Sequence, residues 1–176
     1  MRMNRILADF LNFAKPGAAM DIEPVDLPRM LEELRFLLRS ETILNDVEVL
    51  YGQVPKGFPP VMGDGNSLKQ VFLNITKNAI EAMRDGGRLE VILEKDEANV
   101  YVRFKDNGTG IPGERIPNVF RPFFTTKLGG TGLGLSESSS LVRRMGGELR
   151  VKSKVGEGTT VDVLLPLNLE NEIEAG

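Results

Sequence analysis

The chain has 176 residues, 41% hydrophobic and 27% charged, with a formal net charge of −3. That length suits one domain with appendages and a substantial core, and the mild acidic balance excludes nucleic acid as a bulk partner, which needs a basic face. Cysteine and histidine are both absent, which excludes disulfides, thiolate metal sites and any imidazole base, ligand or phosphoacceptor within these residues. No apolar run approaches membrane-spanning length and the N-terminus lacks a signal-peptide pattern, so a soluble, cytoplasmic chain without membrane contact is expected.

In chain order, Met3, Ile6, Leu7, Phe10, Leu11 and Ala14 recur at helical spacing before Pro16-Gly17 stops the pattern. So short a helix needs a partner for its stripe, either its own domain or a longer helical hairpin of which it is the tail. Ala18 to Pro24 reads as a linker or short edge strand. A second helix is expected from Asp26 as cap, with Pro28 in its first turn, through Met30, Leu31, Leu34, Leu37 and Leu38. Val47 to Tyr51 reads as a strand, and the stretch to Pro60 as connection.

The next helix carries chemistry. Asp64 to Ser67 supplies capping residues, with Ser67 and Gln70 at capping-box spacing, and Leu68, Val71, Phe72, Ile75, Ala79 and Met83 form its apolar stripe. Asn74 and Asn78 lie one turn apart beside that stripe, and Glu81 follows. Asparagine is a mediocre helix former, and its amide oxygen is a good neutral ligand for magnesium, which takes oxygen donors and keeps waters and phosphate oxygens as its others. Plain solvation of both amides is the competing account.

Residues 88 to 94 and 98 to 106 read as a hairpin with Asp96-Glu97 in its turn. Val100, Val102 and Phe104 alternate with Tyr101, Arg103 and Lys105, which puts Asp106 on the apolar face. A carboxylate there needs a strong hydrogen-bond donor, and an exocyclic amino group such as adenine carries would serve. Asp106-Asn107-Gly108-Thr109-Gly110 and Gly129-Gly130-Thr131-Gly132-Leu133-Gly134-Leu135 then bracket a run of aromatic and basic residues, as a mobile lid hinged at two glycine clusters would. Gly108 and Gly110 would let the backbone pass a flat ring. Gly132 and Gly134 precede a helix over 134 to 145, whose first N–H groups and dipole could face an anion, phosphate above all. A calcium loop is excluded by Gly108 and Gly110 at the liganding positions, and a P-loop by the lack of Gly-Lys-Ser/Thr.

Gly146-Gly147 ends that helix. Leu149, Val151 and Ser153 alternate into a strand, Gly156-Glu157-Gly158 turns, Thr159 to Leu165 returns antiparallel before Pro166, and the acidic residues from Glu170 form a frayed tail. Helices interleaved with hairpins predict one mostly antiparallel sheet with helices on one face, an α/β (α+β) two-layer sandwich.

Taken together, Asn74-x-x-x-Asn78, Asp106-x-Gly108-x-Gly110, Phe120 to Lys127 and Gly130-x-Gly132-x-Gly134 resemble the N, G1, F and G2 boxes of the catalytic, ATP-binding domain of sensor histidine kinases, within the GHKL superfamily. The resemblance covers residues 19 to 167, and Phe13-Ala14-Lys15-Pro16 is similar to the end of the dimerisation and phosphotransfer hairpin that precedes this domain. It implies a hairpin remnant and linker over 1–18, a Bergerat-type ATP-binding domain over 19–168 and a tail over 169–176. By position, Asp106 would accept from the adenine amino group, with Gly110 near the base and Thr159 supporting Asp106 through its hydroxyl. Asn78 would ligate magnesium and Asn74 orient water or phosphate, as the two catalytic residues. Gly132, Leu133 and Gly134 would offer N–H groups to the phosphates, Lys77 and Lys127 would contact them, and Phe123 with Phe124 would anchor the lid to the core. Gly108, Ile111, Thr126, Gly130, Thr131 and Leu135 complete the implied nucleotide site.

ATP-hydrolysing relatives and the related serine kinases carry glutamate where this chain has Asn74, and an amide cannot act as general base. A histidine kinase needs none there, because imidazole is itself the nucleophile. The resemblance therefore implies transfer of the ATP γ-phosphate to a histidine outside these residues, in cis or in trans, then signalling to a response regulator. The full-length protein is expected to be a homodimer, and a membrane anchor is left open to it. A GHKL ATPase or serine kinase and a non-catalytic ATP-responsive interaction module are the rivals. Two positions depart from the family pattern: Glu137 stands where an aliphatic residue is usual, and Met145 where a histidine is.

Overall fold

The computed structural model describes residues 19–125 and 130–167. The N-terminal helix expected over 1 to 15, the Phe13-Ala14-Lys15-Pro16 remnant, Thr126, Lys127 and the tail beyond 167 lie outside the described residues.

Strand β1 (Glu23–Val25) leads into helix α1 (Leu27–Leu44). The Asp26 carboxylate caps this helix by accepting from the Arg29 N–H at 3.0 Å, with Pro28 in the first turn, where its missing N–H costs nothing. Leu27, Met30, Leu31, Leu34 and Leu38 are buried, whereas Leu37 falls off the stripe and is exposed. Strand β2 (Val47–Tyr51) follows, then, directly after the connection to Pro60, a short strand β3 (Val61–Gly63). β3 pairs antiparallel with β1, Val25 opposite Val61, so a two-stranded sheet accompanies the one sheet expected.

Helix α2 (Gly65–Ala82) begins on Asp64, whose carboxylate accepts from the Ser67 N–H at 2.7 Å and the Asp21 N–H at 3.0 Å. The Ser67–Gln70 capping box does not form. The N-cap is Asp64, three residues before Ser67, and the Gln70 amide instead donates to the Glu137 carboxylate at 2.9 Å.

Strands β4 (Gly87–Lys95) and β5 (Asn99–Asp106) make the expected hairpin. Its turn is fixed by the Asp96 carboxylate, which accepts from the Ala98 and Asn99 N–H groups at 2.8 Å. A short 3-10 turn (Gly113–Asn118) precedes helix α3 (Gly134–Arg144), and β6 (Glu148–Lys154) and β7 (Gly158–Pro166) close the fold. The five-stranded sheet runs β2-β4-β5-β7-β6. Every pairing is antiparallel except β2 with β4, whose long connection through β3 and α2 is the crossover that a parallel pair needs.

Register decides the faces. Val100, Val102 and Phe104 oppose Leu165, Val163 and Val161 and are buried with Leu68, Val71, Phe72 and Ile75 of α2. The Phe72 and Phe104 rings meet at 5.5 Å between centroids. On the opposite face Arg103 and its cross-strand partner Asp162 pair at 2.7 Å, and Lys105 reaches Glu90 at 3.7 Å. A carboxylate on the apolar face is therefore out of step with its strand, and Asp106 ends β5 there.

The Asp64 cap generates a testable consequence. Removing it should destabilise the protein by about 1–2 kcal/mol in urea unfolding, since α2 loses its N-cap. The Ser67 N–H, ahead of an opposing effect of burial, holds the Asp64 carboxyl below the usual aspartate range. A lowered folded value gives stability that is present above the unfolded pKa and lost as pH falls through the folded one. The difference between wild type and Asp64→Ala should thus be complete at neutral pH and close as the solution is acidified below the aspartate range.

Candidate functional site

Asp106 is 6% exposed. Its Oδ1 accepts from the Gly108 N–H at 2.9 Å and the Thr159 N–H at 3.2 Å, so two backbone donors fix the carboxylate plane at the end of the central strand. Support from Thr159 comes through its amide. Its hydroxyl, expected to serve Asp106, lies 2.7 Å from the Ser153 hydroxyl instead.

The glycines after Asp106 are explained by protein packing. A Cβ on Gly108 would lie 2.7 Å from the Ala82 carbonyl oxygen, and one on Gly110, whose φ is +73°, would lie 2.0 Å from that of Lys154. Thr109 donates to Ala82 O at 3.1 Å and accepts from the Gly156 N–H at 2.9 Å, and the Ile111 N–H donates to Ser153 Oγ at 2.8 Å. The loop from 106 to 111 is thereby clasped between the last turn of α2 and the β6–β7 turn. The expectation of a hinge at this first glycine cluster is corrected: contacts with α2 on one side and the hairpin on the other tie it down.

Helix α2 connects the two ends of the site. Ala82 touches Gly108, and eight residues earlier the Asn74 amide donates to Ser138 Oγ at 3.3 Å and, more weakly, to the Gly134 carbonyl at 3.5 Å. At 1.5 Å per residue that separation is about 12 Å. Asn78 lies between them, and Asn74, Lys77 and Asn78 are all half-buried. Solvation alone does not account for Asn74, which holds α3 against α2. Gln70 with Glu137 adds a second tie, so Glu137 has a polar partner across the same interface. Met145 is buried as well, its sulfur accepting from the Asp64 N–H at 3.4 Å.

At the glycine-rich end, Gly132 has φ +67°, and a Cβ there would lie 2.5 Å from the Phe123 carbonyl carbon. Leu133 is buried and opens α3 without a side-chain cap, leaving amides of the first turn to other acceptors. Gly130, Thr131, Gly134 and Leu135 sit at or beside this helix start, where Ser136 also donates to the Leu133 carbonyl at 2.8 Å.

Phe123 is 63% exposed with φ +65°, which corrects its expected role as a core anchor. Its backbone packs on Gly132 and turns the ring outward. Phe124 is half-buried, while Val119 is buried and Phe120 packs on the core, so these two hold the described start of the lid. The largest contribution missed by sequence is that of Ser153, whose only signal was its inward register in β6, opposite Thr159.

Helix α2 thus runs from a fixed carboxylate at one end to a glycine-rich helix start at the other, with Asn74 beside that start and Asn78 between. Among the described residues no three acidic side chains cluster around a metal position. A separate cavity of about 440 Å³ lies on the outer flank of α3, lined by Arg121, Ser139, Ser140 and Arg143 among others, and includes neither Asp106 nor the two asparagines.

Comparison with known proteins identifies relatives of the chain. A family described as histidine kinase-, DNA gyrase B- and HSP90-like ATPase matches residues 63–169. Sporulation kinase E of Bacillus subtilis (strain 168) is 36% identical over 172 residues, 97% of this chain and 23% of the relative, so the chain spans about a quarter of that protein's length. Full-length ShkA, solved in complex with AMPPNP, superposes with a TM-score of 0.83 at 26% identity over 93% of this chain and 35% of its own. The nucleotide-free catalytic domain of the histidine kinase ThkA gives 0.76 at 28% identity over 84% of this chain and 98% of its own. Sequence match and fold agree, and the chain belongs to the family of histidine kinase-, DNA gyrase B- and HSP90-like ATPases.

Proposed function

We propose that this domain binds magnesium ATP and passes its γ-phosphoryl group to a histidine on a phosphotransfer helical segment outside these residues, as the catalytic part of a two-component sensor kinase. The observation that carries the reading is Asn74. The position from which an acid would activate water or a hydroxyl holds an amide, and that amide is engaged with Ser138 on α3. A nucleophile that needs no general base from this domain fits such a site, and imidazole is one. With no histidine in the chain, the acceptor comes from elsewhere.

Asp106 receives the adenine amino group while the Gly108 and Thr159 amides hold its carboxylate in place. Gly132, Leu133 and Gly134 turn backbone N–H groups toward the phosphates, and Lys77 flanks them. Thr126 and Lys127 contribute from the lid. Asn78 holds magnesium, which supplies charge neutralisation on the phosphate oxygens when bound. A ring nitrogen of the acceptor attacks the γ-phosphorus, the bond to the β–γ bridging oxygen breaks, ADP leaves with the electron pair, and the phosphorylated ring sheds its N–H proton. The phosphoryl group then passes to a response regulator, and the whole kinase works as a homodimer.

Calorimetry tests the site. A non-hydrolysable ATP analogue should bind more tightly with magnesium than without, and Asp106→Asn should weaken binding about tenfold or more, the cost of mismatching one buried hydrogen bond to the base. Asn78→Ala should remove the magnesium-dependent part while sparing magnesium-free binding. Phosphate release by the isolated domain that Asn78→Ala abolishes would favour the ATPase reading. Nucleotide binding without transfer to any histidine-bearing hairpin would favour an interaction module.

A further inference from the structure

We propose that Ser153 is a positioning residue for base recognition, fixing the Asp106 carboxylate and the root of the lid through one fully used hydroxyl. The inference rests on the reading of Asp106 as the acceptor for the adenine amino group.

A serine hydroxyl has one proton to donate and two lone pairs to accept with. Ser153 Oγ donates to the Gly158 carbonyl at 2.9 Å and accepts from the Ile111 N–H at 2.8 Å. The Thr159 hydroxyl is 2.7 Å away. Since the Ser153 proton is committed to Gly158, Thr159 is the donor in that contact. Three residues thus meet on one oxygen: the first after the glycine-bearing loop and both that open β7. Thr159 continues the chain of contacts, its amide donating to Asp106 Oδ1 at 3.2 Å. Gly158 presses from the other side, where an added Cβ would lie 2.0 Å from the Asp106 carbonyl oxygen.

Position follows from topology. Ser153 stands opposite Thr159 across the β6–β7 pair, one residue before Lys154, whose carbonyl lies against Gly110. Displacement of this hydroxyl shifts Thr159, and with it one of the two amides that aim the carboxylate. A residue that merely stabilised the hairpin would weaken every ligand of the site together. A residue that aims Asp106 alters the preference between bases, because a carboxylate acceptor suits the amino group of adenine and opposes the carbonyl at the same ring position of guanine.

The test uses the intact chain and measures ADP and GDP affinities for wild type, Ser153→Ala, Ser153→Thr and Asp106→Asn. Ser153→Ala is expected to narrow the ADP-over-GDP preference about tenfold, a loss of the order of one well-placed hydrogen bond. Ser153→Thr, which keeps a hydroxyl, should recover most of it. Equal weakening of both nucleotides by Ser153→Ala, or no change, overturns the inference while Asp106→Asn still collapses the preference. If Asp106→Asn leaves the preference intact, it is the underlying reading of Asp106 that fails. Should the alanine variant not fold, amide exchange in the wild type decides. Ile111 N–H protection comparable to that of the β6–β7 ladder supports the proposal, and exchange as fast as that of the exposed residues of the 3-10 turn overturns it.

Discussion

A carboxylate on the buried face of a central strand is the constraint around which this domain is arranged. Asp106 follows Val100, Val102 and Phe104 in register, so the pleat that buries those side chains also withdraws the carboxylate from water. A charge in that position is tolerated when hydrogen bonds replace its hydration. The amides of Gly108 and Thr159 supply part of that replacement, and each imposes a demand on the surrounding backbone. Gly108 donates only because its loop presses onto Ala82, and Thr159 donates only because β7 starts directly beside β5. The close approaches at Gly108, Gly110 and Gly158 are consequences of bringing three backbones around one side chain.

The second end of the site depends on the first through α2. The helix is packed against the sheet by Leu68, Val71, Phe72 and Ile75, is stopped near the Asp106 loop at Ala82 and carries Asn74 and Gln70 to the start of α3. Because the helix is rigid over this length, the distance between the carboxylate and the glycine-rich helix start is set by a count of turns rather than by a flexible loop. The described residues of the loop between them are secured at the near end by Ser153 and by Val119 and Phe120, and at the far end by the close contact of Gly132 with Phe123. A ligand that spans both ends is thus measured against fixed points.

Much of this was readable from residues whose meaning is local. Asp26 and Pro28 announce α1, the alternation through Phe104 gives β5 and buries Asp106, and the spacing of Asn74 and Asn78 places both amides on one side of α2. What was not readable depends on contacts distant in sequence. Strand β1 could be read only as a linker or short edge strand and β3 not at all, since each has three residues, too few for alternation to show, and they exist because they pair with one another. The glycines at 108 and 110 could be read as room for a ring, yet the atoms they avoid belong to Ala82 and Lys154. Phe123 looked like a core residue by type, and its positive φ, which no sequence pattern reveals, turns it outward. Glu137 looked out of place until Gln70 was found opposite it.

The most direct measurement of the central claim is phosphotransfer itself. The domain would be incubated with γ-labelled ATP, magnesium and a separately supplied helical hairpin bearing a phosphoacceptor histidine, and the label on the hairpin tested for its chemistry. A phosphoramidate, stable to base and lost in acid, that disappears when the histidine is replaced and when Asn78 is changed to alanine is the predicted result. Label that resists acid and survives loss of the histidine, as a phosphoserine would, contradicts the account.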